Sequence, residues 1–153
     1  MGLIAYKMVY TSDLVECSNI CCIPFEEKYF VDYMAIYNEC FYEMRKSLDR
    51  KPYNFLSTYD QIANHIDNIY LLIENNEIIG SVACYGNEVD DLIVNIKYQN
   101  NGFGKKLLLW AMNRIRENNN EPITLHVAQW NENALKLYTN VGFVIVETEM
   151  IGS

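Results

Sequence analysis

The run Gln99-Asn-Asn-Gly102-Phe-Gly104, followed at once by two lysines and an amphipathic stretch, places its chemistry in the backbone. A strand-like segment, Asp91 to Val94, leads into it, and a helix is predicted to open at about Gly102. The first amide N–H groups of a helix have no partner within it. Together with the helix dipole they favour an anion, and a phosphate above all. Gly102 and Gly104 have no Cβ, so main chain can close on a bulky diphosphate. Lys105 and Lys106 add positive charge in a chain whose formal net charge is −8.

Spacing separates the phosphate loops this could be. A Walker A loop needs an earlier glycine and a Ser or Thr after its lysine, but the chain has Gln99 and Lys106 at those positions. A dinucleotide loop needs a third small residue where Leu107 stands. The pattern Gln-x-x-Gly-x-Gly fits in full. Beyond the helix come a strand, Ile123 to Val127, and then Asn131-x-x-Ala134-x-x-Leu137-Tyr138-x-x-x-Gly142-Phe143. These two motifs, in this order, resemble the GCN5-related N-acetyltransferase superfamily, whose members move an acetyl group from acetyl-coenzyme A to an amine. The likeness is close over residues 88–146, looser over 69–86 and an outline over 1–65. Ile96 departs from it, since members often carry proline just after the central strand.

The resemblance implies roles residue by residue. Gln99, Asn101, Gly102, Phe103, Gly104 and Lys105 would hold the diphosphate. The backbone of Ile93 and Val94 would bond the pantetheine amides, and Asn131 would meet the same arm while capping a helix. Tyr138 would stand by the coenzyme sulfur and protonate the leaving thiolate. The acceptor must lose a proton: an alkyl amine of pKa near 10.4 is free base in less than roughly one molecule in a thousand at neutral pH. A carboxylate is the usual remedy. Glu88 is the first candidate by position, with Asp90 and Asp91 as rivals. Strand alternation would put Glu88 and Asp90 on one face and Asp91 on the other. No step needs a metal. The activity implied is acetyl-CoA-dependent N-acetylation of a primary amine on a small molecule or a protein. The alternative is a catalytically silent acyl-CoA-binding sensor or scaffold.

These residues need a frame. Ala5 to Tyr10 reads as a strand. Pro24 stands where a helix could start, and apolar residues recur at helical spacing through Phe30, Met34, Tyr37, Phe41, Met44 and Leu48. Tyr59 to Ile66 suggests a shorter helix capped by Ser57 or Thr58. Ile69–Glu74 and Ile78–Tyr85 form a hairpin about Asn75-Asn76-Glu77. Val89 to Asn95 is the central strand. Leu107, Leu108, Ala111, Met112 and Ile115 give the next helix one apolar face, and Asn118-Asn119-Asn120 ends it. A strand over 123–128, a helix over 133–139 and a strand over 143–150 complete the chain. The fold class expected is α/β (α+β): a mixed, mainly antiparallel central sheet with helices on both faces, in one domain spanning 1–153. The first helices and their loop, residues 24–60, would build the acceptor site. They are rich in tyrosine (29, 33, 37, 42, 53 and 59), with Glu39 and Glu43 one turn apart.

Composition agrees with a folded domain: half of the 153 residues are hydrophobic and 21% are charged. No apolar run approaches the ~20 residues of a membrane span. Nor does the start of the chain carry the basic flank and long apolar region of a secretion signal. The five cysteines form no paired framework, so free thiols in a reducing cytoplasm are expected. His65 and His126 lie far from the cysteine cluster and read as surface or strand residues. The acidic balance argues against nucleic acid as a partner and suits a cationic acceptor. A homodimer is compatible with the pattern.

Overall fold

The computed structural model describes residues 3–151. Seven strands form one sheet: β1 (Leu3–Tyr10), β2 (Ile23–Pro24), β3 (Ile69–Glu74), β4 (Glu77–Tyr85), β5 (Glu88–Val94), β6 (Ile123–Ala128) and β7 (Val144–Ile151). Their spatial order is β2-β3-β4-β5-β6-β1-β7. Every neighbouring pair is antiparallel except β5 and β6. Three α-helices complete the frame: α1 (Phe30–Ser47), α2 (Phe103–Asn118) and α3 (Glu132–Val141). The mixed, mainly antiparallel sheet with helices on both faces is as expected.

Turn chemistry sets the register. Asn75 and Asn76 both take positive φ, 52° and 63°, which is the geometry of a two-residue hairpin whose twist matches its strands. Glu77, expected in the turn, therefore begins β4. Leu107, Leu108, Ala111, Met112 and Ile115 of α2 pack on Met8, Ile79, Val82, Val89 and Leu125, joined by Tyr138 of α3. On the opposite face Tyr33 of α1, 1% exposed, anchors a second core with Phe25, Ile69, Leu71, Ala83 and Ile93. Gly80 belongs to the tight side of β4: a Cβ there would lie 2.6 Å from Leu107 Cδ1 and 2.7 Å from the Ile93 carbonyl.

Two helical expectations need correction. Pro24 does not start a helix. With Ile23 it forms a two-residue strand on β3, where a residue without N–H is tolerated at the edge. The helix starts at Phe30, after a single 3-10 turn. The 59–66 segment is 3-10 rather than α. Thr58 and Gln61 form a capping box at its start, and His65 (φ −135°) breaks it.

The N-terminal strand β1 lies inside the sheet, so β7 reaches β6 only through it. The segment between β1 and β2 straps over α2. Asn113 donates to the Glu16 carbonyl, Arg116 to the Ser12 carbonyl, and the Ser18 hydroxyl to the Lys106 carbonyl.

Candidate active site

Gly102 is the N-cap of α2, with φ +84°, in the left-handed region that glycine tolerates best. A Cβ built there meets nothing within 4 Å, so the space in front of the helix mouth is open. Lys106 N–H donates to the Gly102 carbonyl (3.2 Å), closing the first turn of the helix. The N–H groups before it have no partner within the helix, the arrangement that suits an anion. The cavity at this corner is lined by Asn100, Gly102, Phe103, Gly104, Lys105, Leu137 and others. Asn101 is not part of its wall. The Asn101 side chain donates to the carbonyls of Tyr98 and Gln99 and so closes the loop on itself. Lys105 Nζ lies 3.6 Å from Glu16. Before the loop, Glu77 accepts hydrogen bonds from Lys97 and Tyr98, tying the hairpin to the turn.

A second cavity of about 280 Å³ runs on from the first, sharing Leu92, Val94, Gln99, Asn131, Ala134 and Tyr138. Its origin is the parallel pair: β5 and β6 register only at Glu88 opposite Thr124, and beyond that point they part. Residues Val89–Val94 line one wall and Leu125–Ala128 the other. The facing edges of the parted strands offer main-chain donors and acceptors, as an unpaired strand edge does. Such a slot fits an extended chain that carries amides. Ile93 is buried and pairs with Ser81, while the Val94 carbonyl accepts from Gln99 Nε2 (3.1 Å) and the Cys40 thiol (3.4 Å). The Gln99 side chain thus braces the loop against the strand.

The carboxylates do not follow simple alternation. Opposite Val82 the β4–β5 register slips, and Asp91 takes φ +46°. This bulge puts one extra residue in β5. Asp90 and Asp91 both line the cavity, and both act electrostatically on Tyr37 and Tyr85, so they share a side. The expected split of Asp91 from Asp90 is therefore wrong. Burial first, then the charge of Asp90, pushes the Asp91 carboxyl up to about 7. Glu88 stands outside the cavity wall, 3.6 Å from His126 Nδ1.

Tyr138 is buried at the junction of the two cavities. Burial, and secondarily Asp90, raises its phenol to about 12, so it holds its proton at neutral pH. Asn131 caps α3 by accepting from Ala134 N–H (3.3 Å) and also lines both cavities. From α1 the cavity takes Cys40, Phe41 and Met44, and from the β6–α3 loop Trp130. Of the tyrosines expected to shape an acceptor site, Tyr42 lines a separate cavity with Glu39 and Glu43, and the others pack elsewhere. Tyr33 is core, Tyr37 packs beside it, Tyr59 meets Phe30, and Tyr42 meets Tyr53. Phe41 and Met44 fall within the 24–60 segment expected to build the acceptor site, whereas Trp130 was not legible as a site residue. The only sequence signal was that Trp130 directly precedes Asn131.

Among the described residues no helix is long and apolar enough to cross a membrane, and no cluster of three or more His, Cys, Asp or Glu could hold a metal. All five cysteines are free thiols.

Residues 30–143 match the acetyltransferase (GNAT) family. Human N-alpha-acetyltransferase 30 is 28% identical over 103 residues, which is 61% of this chain and 28% of that protein; the mouse protein gives the same values. The chain thus spans about 28% of the length of the curated relatives it matches. Among solved structures, a GNAT-family acetyltransferase from Colwellia psychrerythraea superposes with TM-score 0.73 at 11% identity, covering 97% of this chain and 55% of that one. PaiA N-acetyltransferase from Thermoplasma acidophilum, in complex with coenzyme A, gives 0.66 at 17% identity, covering 86% and 93%. At such identities the structural likeness speaks for the fold alone.

Proposed function

Since the chain belongs to the acetyltransferase (GNAT) family, we propose that it is an acetyl-CoA-dependent N-acetyltransferase acting on a primary amine of a small molecule or a protein. The observation that carries this reading is the pair of adjoining cavities, one at the glycine-bearing mouth of α2 and one in the slot between β5 and β6, with Tyr138 lining both. The diphosphate belongs on the N–H groups of residues 102–105. The pantetheine amides belong on the parted strand edges at Leu92, Ile93 and Val94, with Asn131 opposite. The acceptor enters between Phe41, Met44 and Trp130, and its ammonium meets Asp90 and Asp91.

Asp91, rather than Glu88, is the base in this reading. It lines the cavity, and a carboxyl near 7 matches a proton acceptor working at neutral pH. Tyr138 keeps its proton until a thiolate appears beside it, then donates. In this reading backbone N–H groups of β5 stabilise the developing oxyanion. All of this fits in one domain working in a reducing, cytoplasmic compartment.

The experiment is thiol release from acetyl-CoA against a panel of amines (spermidine, glucosamine and a lysine-bearing peptide), with calorimetry of acetyl-CoA alone. Micromolar binding with turnover on at least one amine is expected. Binding with no turnover on any acceptor would favour a silent acyl-CoA sensor, and no binding would end the reading.

A further inference from the structure

We propose that the acceptor is an amine on an apolar stem with no carboxylate beside its nitrogen, either a free alkyl or arylalkyl amine or the side chain of a lysine. The proposal rests on the acetyltransferase reading above and narrows its acceptor by charge and by polarity.

Charge sets the first limit. Asp90 and Asp91 wall the acceptor cavity, and among the described residues no lysine or arginine lines it. Burial, and then Asp90, already pushes the Asp91 carboxyl up to about 7, so this corner resists a further negative charge. His126 stands in the facing wall, but both of its nitrogens are turned to carboxylates of the chain itself. Nδ1 lies 3.6 Å from Glu88 and Nε2 lies 3.2 Å from Glu149. Lys7, one strand further out, registers with His126 on one side and Glu147 on the other. Lys105 lines the other cavity, at the mouth of α2, where the diphosphate belongs. An ammonium therefore meets opposite charge here, and a carboxylate on the adjoining carbon meets none. Seating the nitrogen of an α-amino acid at Asp90 and Asp91 would bring like charges within about 5 Å, in a half-enclosed site where screening is weak.

Polarity sets the second. The entrance takes Cys40, Phe41 and Met44 from α1 and Trp130 from the β6–α3 loop. The Cys40 thiol already donates to the Val94 carbonyl (3.4 Å). The amide side chains of the wall serve the main chain: Gln99 donates to the Val94 carbonyl, and Asn131 accepts from Ala134 N–H. Methylene groups or an aryl ring pack on such a wall, and the Trp130 indole, 49% exposed, offers them a face. The hydroxyl groups of an amino sugar would lose water there without gaining partners.

The reaction balances for such an amine. The N–C bond to the acetyl carbon forms as the C–S bond breaks. Of the two protons that the ammonium gives up, one ends on the coenzyme thiol and the other leaves to solvent.

The test compares matched acceptors by thiol release at saturating acetyl-CoA: phenethylamine against phenylalanine, and isoamylamine against leucine. The amine of each pair should lead in kcat/KM by about 10²-fold or more. Phenylalaninamide, which keeps the branch without the charge, should regain at least tenfold of that loss. Asp90→Asn should narrow the phenethylamine-to-phenylalanine ratio at least threefold. Calorimetry on the coenzyme A complex should give the same order without turnover. A peptide with a blocked N-terminus and one lysine, run beside the free amines, separates the two sources, and a lead for either supports the proposal. Phenylalanine within threefold of phenethylamine, phenylalaninamide as poor as phenylalanine, or faster acetylation of glucosamine or of a peptide α-amino group overturns it. An unmodified protein inactive on every acceptor would instead count against the acetyltransferase reading, and the calorimetric order would still decide which amine the cavity takes.

Discussion

Replacing Asp91 by Asn tests the base and gives two readouts of opposite sign. The carboxyl is raised from 3.8 to about 7, roughly three pKa units, or about 4 kcal/mol at 1.36 kcal/mol per unit. For kinetics, a base near 7 that accepts a proton from a bound ammonium gives kcat/KM rising tenfold per pH unit below 7. The curve then levels until the amine itself titrates near 10.4. Asp91→Asn removes the base, so the profile should climb without a break toward the amine's own pKa. At pH 7 activity should be down about 10² to 10⁴-fold. For stability, burial favours the neutral carboxyl, so the folded-state value lies above the unfolded one. The associated stability is fully present below 3.8 and is lost as pH rises through 7. The asparagine variant, neutral throughout, should exceed the unmodified protein in stability at pH 8 by up to about 4 kcal/mol. That advantage should vanish near pH 4. Thiol-release kinetics over pH 5.5 to 10 and urea denaturation at pH 4, 6 and 8 measure both. A variant that keeps the break at 7, or loses less than threefold in rate, would refute the reasoning.

Tyr138→Phe should lower kcat about 10 to 10²-fold while leaving acetyl-CoA affinity within twofold, read by steady-state kinetics and calorimetry. Gly102→Val, which puts a branched side chain at φ +84° and into the open mouth of α2, should weaken acetyl-CoA binding at least tenfold, measured by calorimetry. Gly80→Ala should destabilise by about 1 to 3 kcal/mol in urea. Its methyl would fall 2.6 Å from Leu107 Cδ1 and 2.7 Å from the Ile93 carbonyl, and β4 cannot move away without disturbing β5.

The part of the site that comes from local chain chemistry was legible in the sequence. Gly102 and Gly104 before an apolar helix, and Asn131 three residues before Ala134 at a helix start, act through neighbours in the chain. The hairpin at Asn75-Asn76 was legible for the same reason. What depends on tertiary register was hidden. Alternation placed Asp90 and Asp91 on opposite faces because a bulge, which turns both toward the cavity, leaves no mark in residue type. Pro24 carries the same signal at a helix start as on an edge strand, and only the presence of β3 decides. His126 read as a surface or strand residue, and only the parting of β5 from β6 sets it in the cavity wall. The aromatic richness of residues 24–60 was real. It serves mainly the core on α1, while the cavity takes Phe41, Met44 and Trp130 from a helix face and a loop.

The most direct measurement is a crystal structure of the protein with coenzyme A. It should show the diphosphate on the N–H groups of residues 102–105, the pantetheine arm between β5 and β6, and the sulfur beside the Tyr138 hydroxyl. Coenzyme bound elsewhere on the sheet, with the slot between β5 and β6 vacant, would contradict the account.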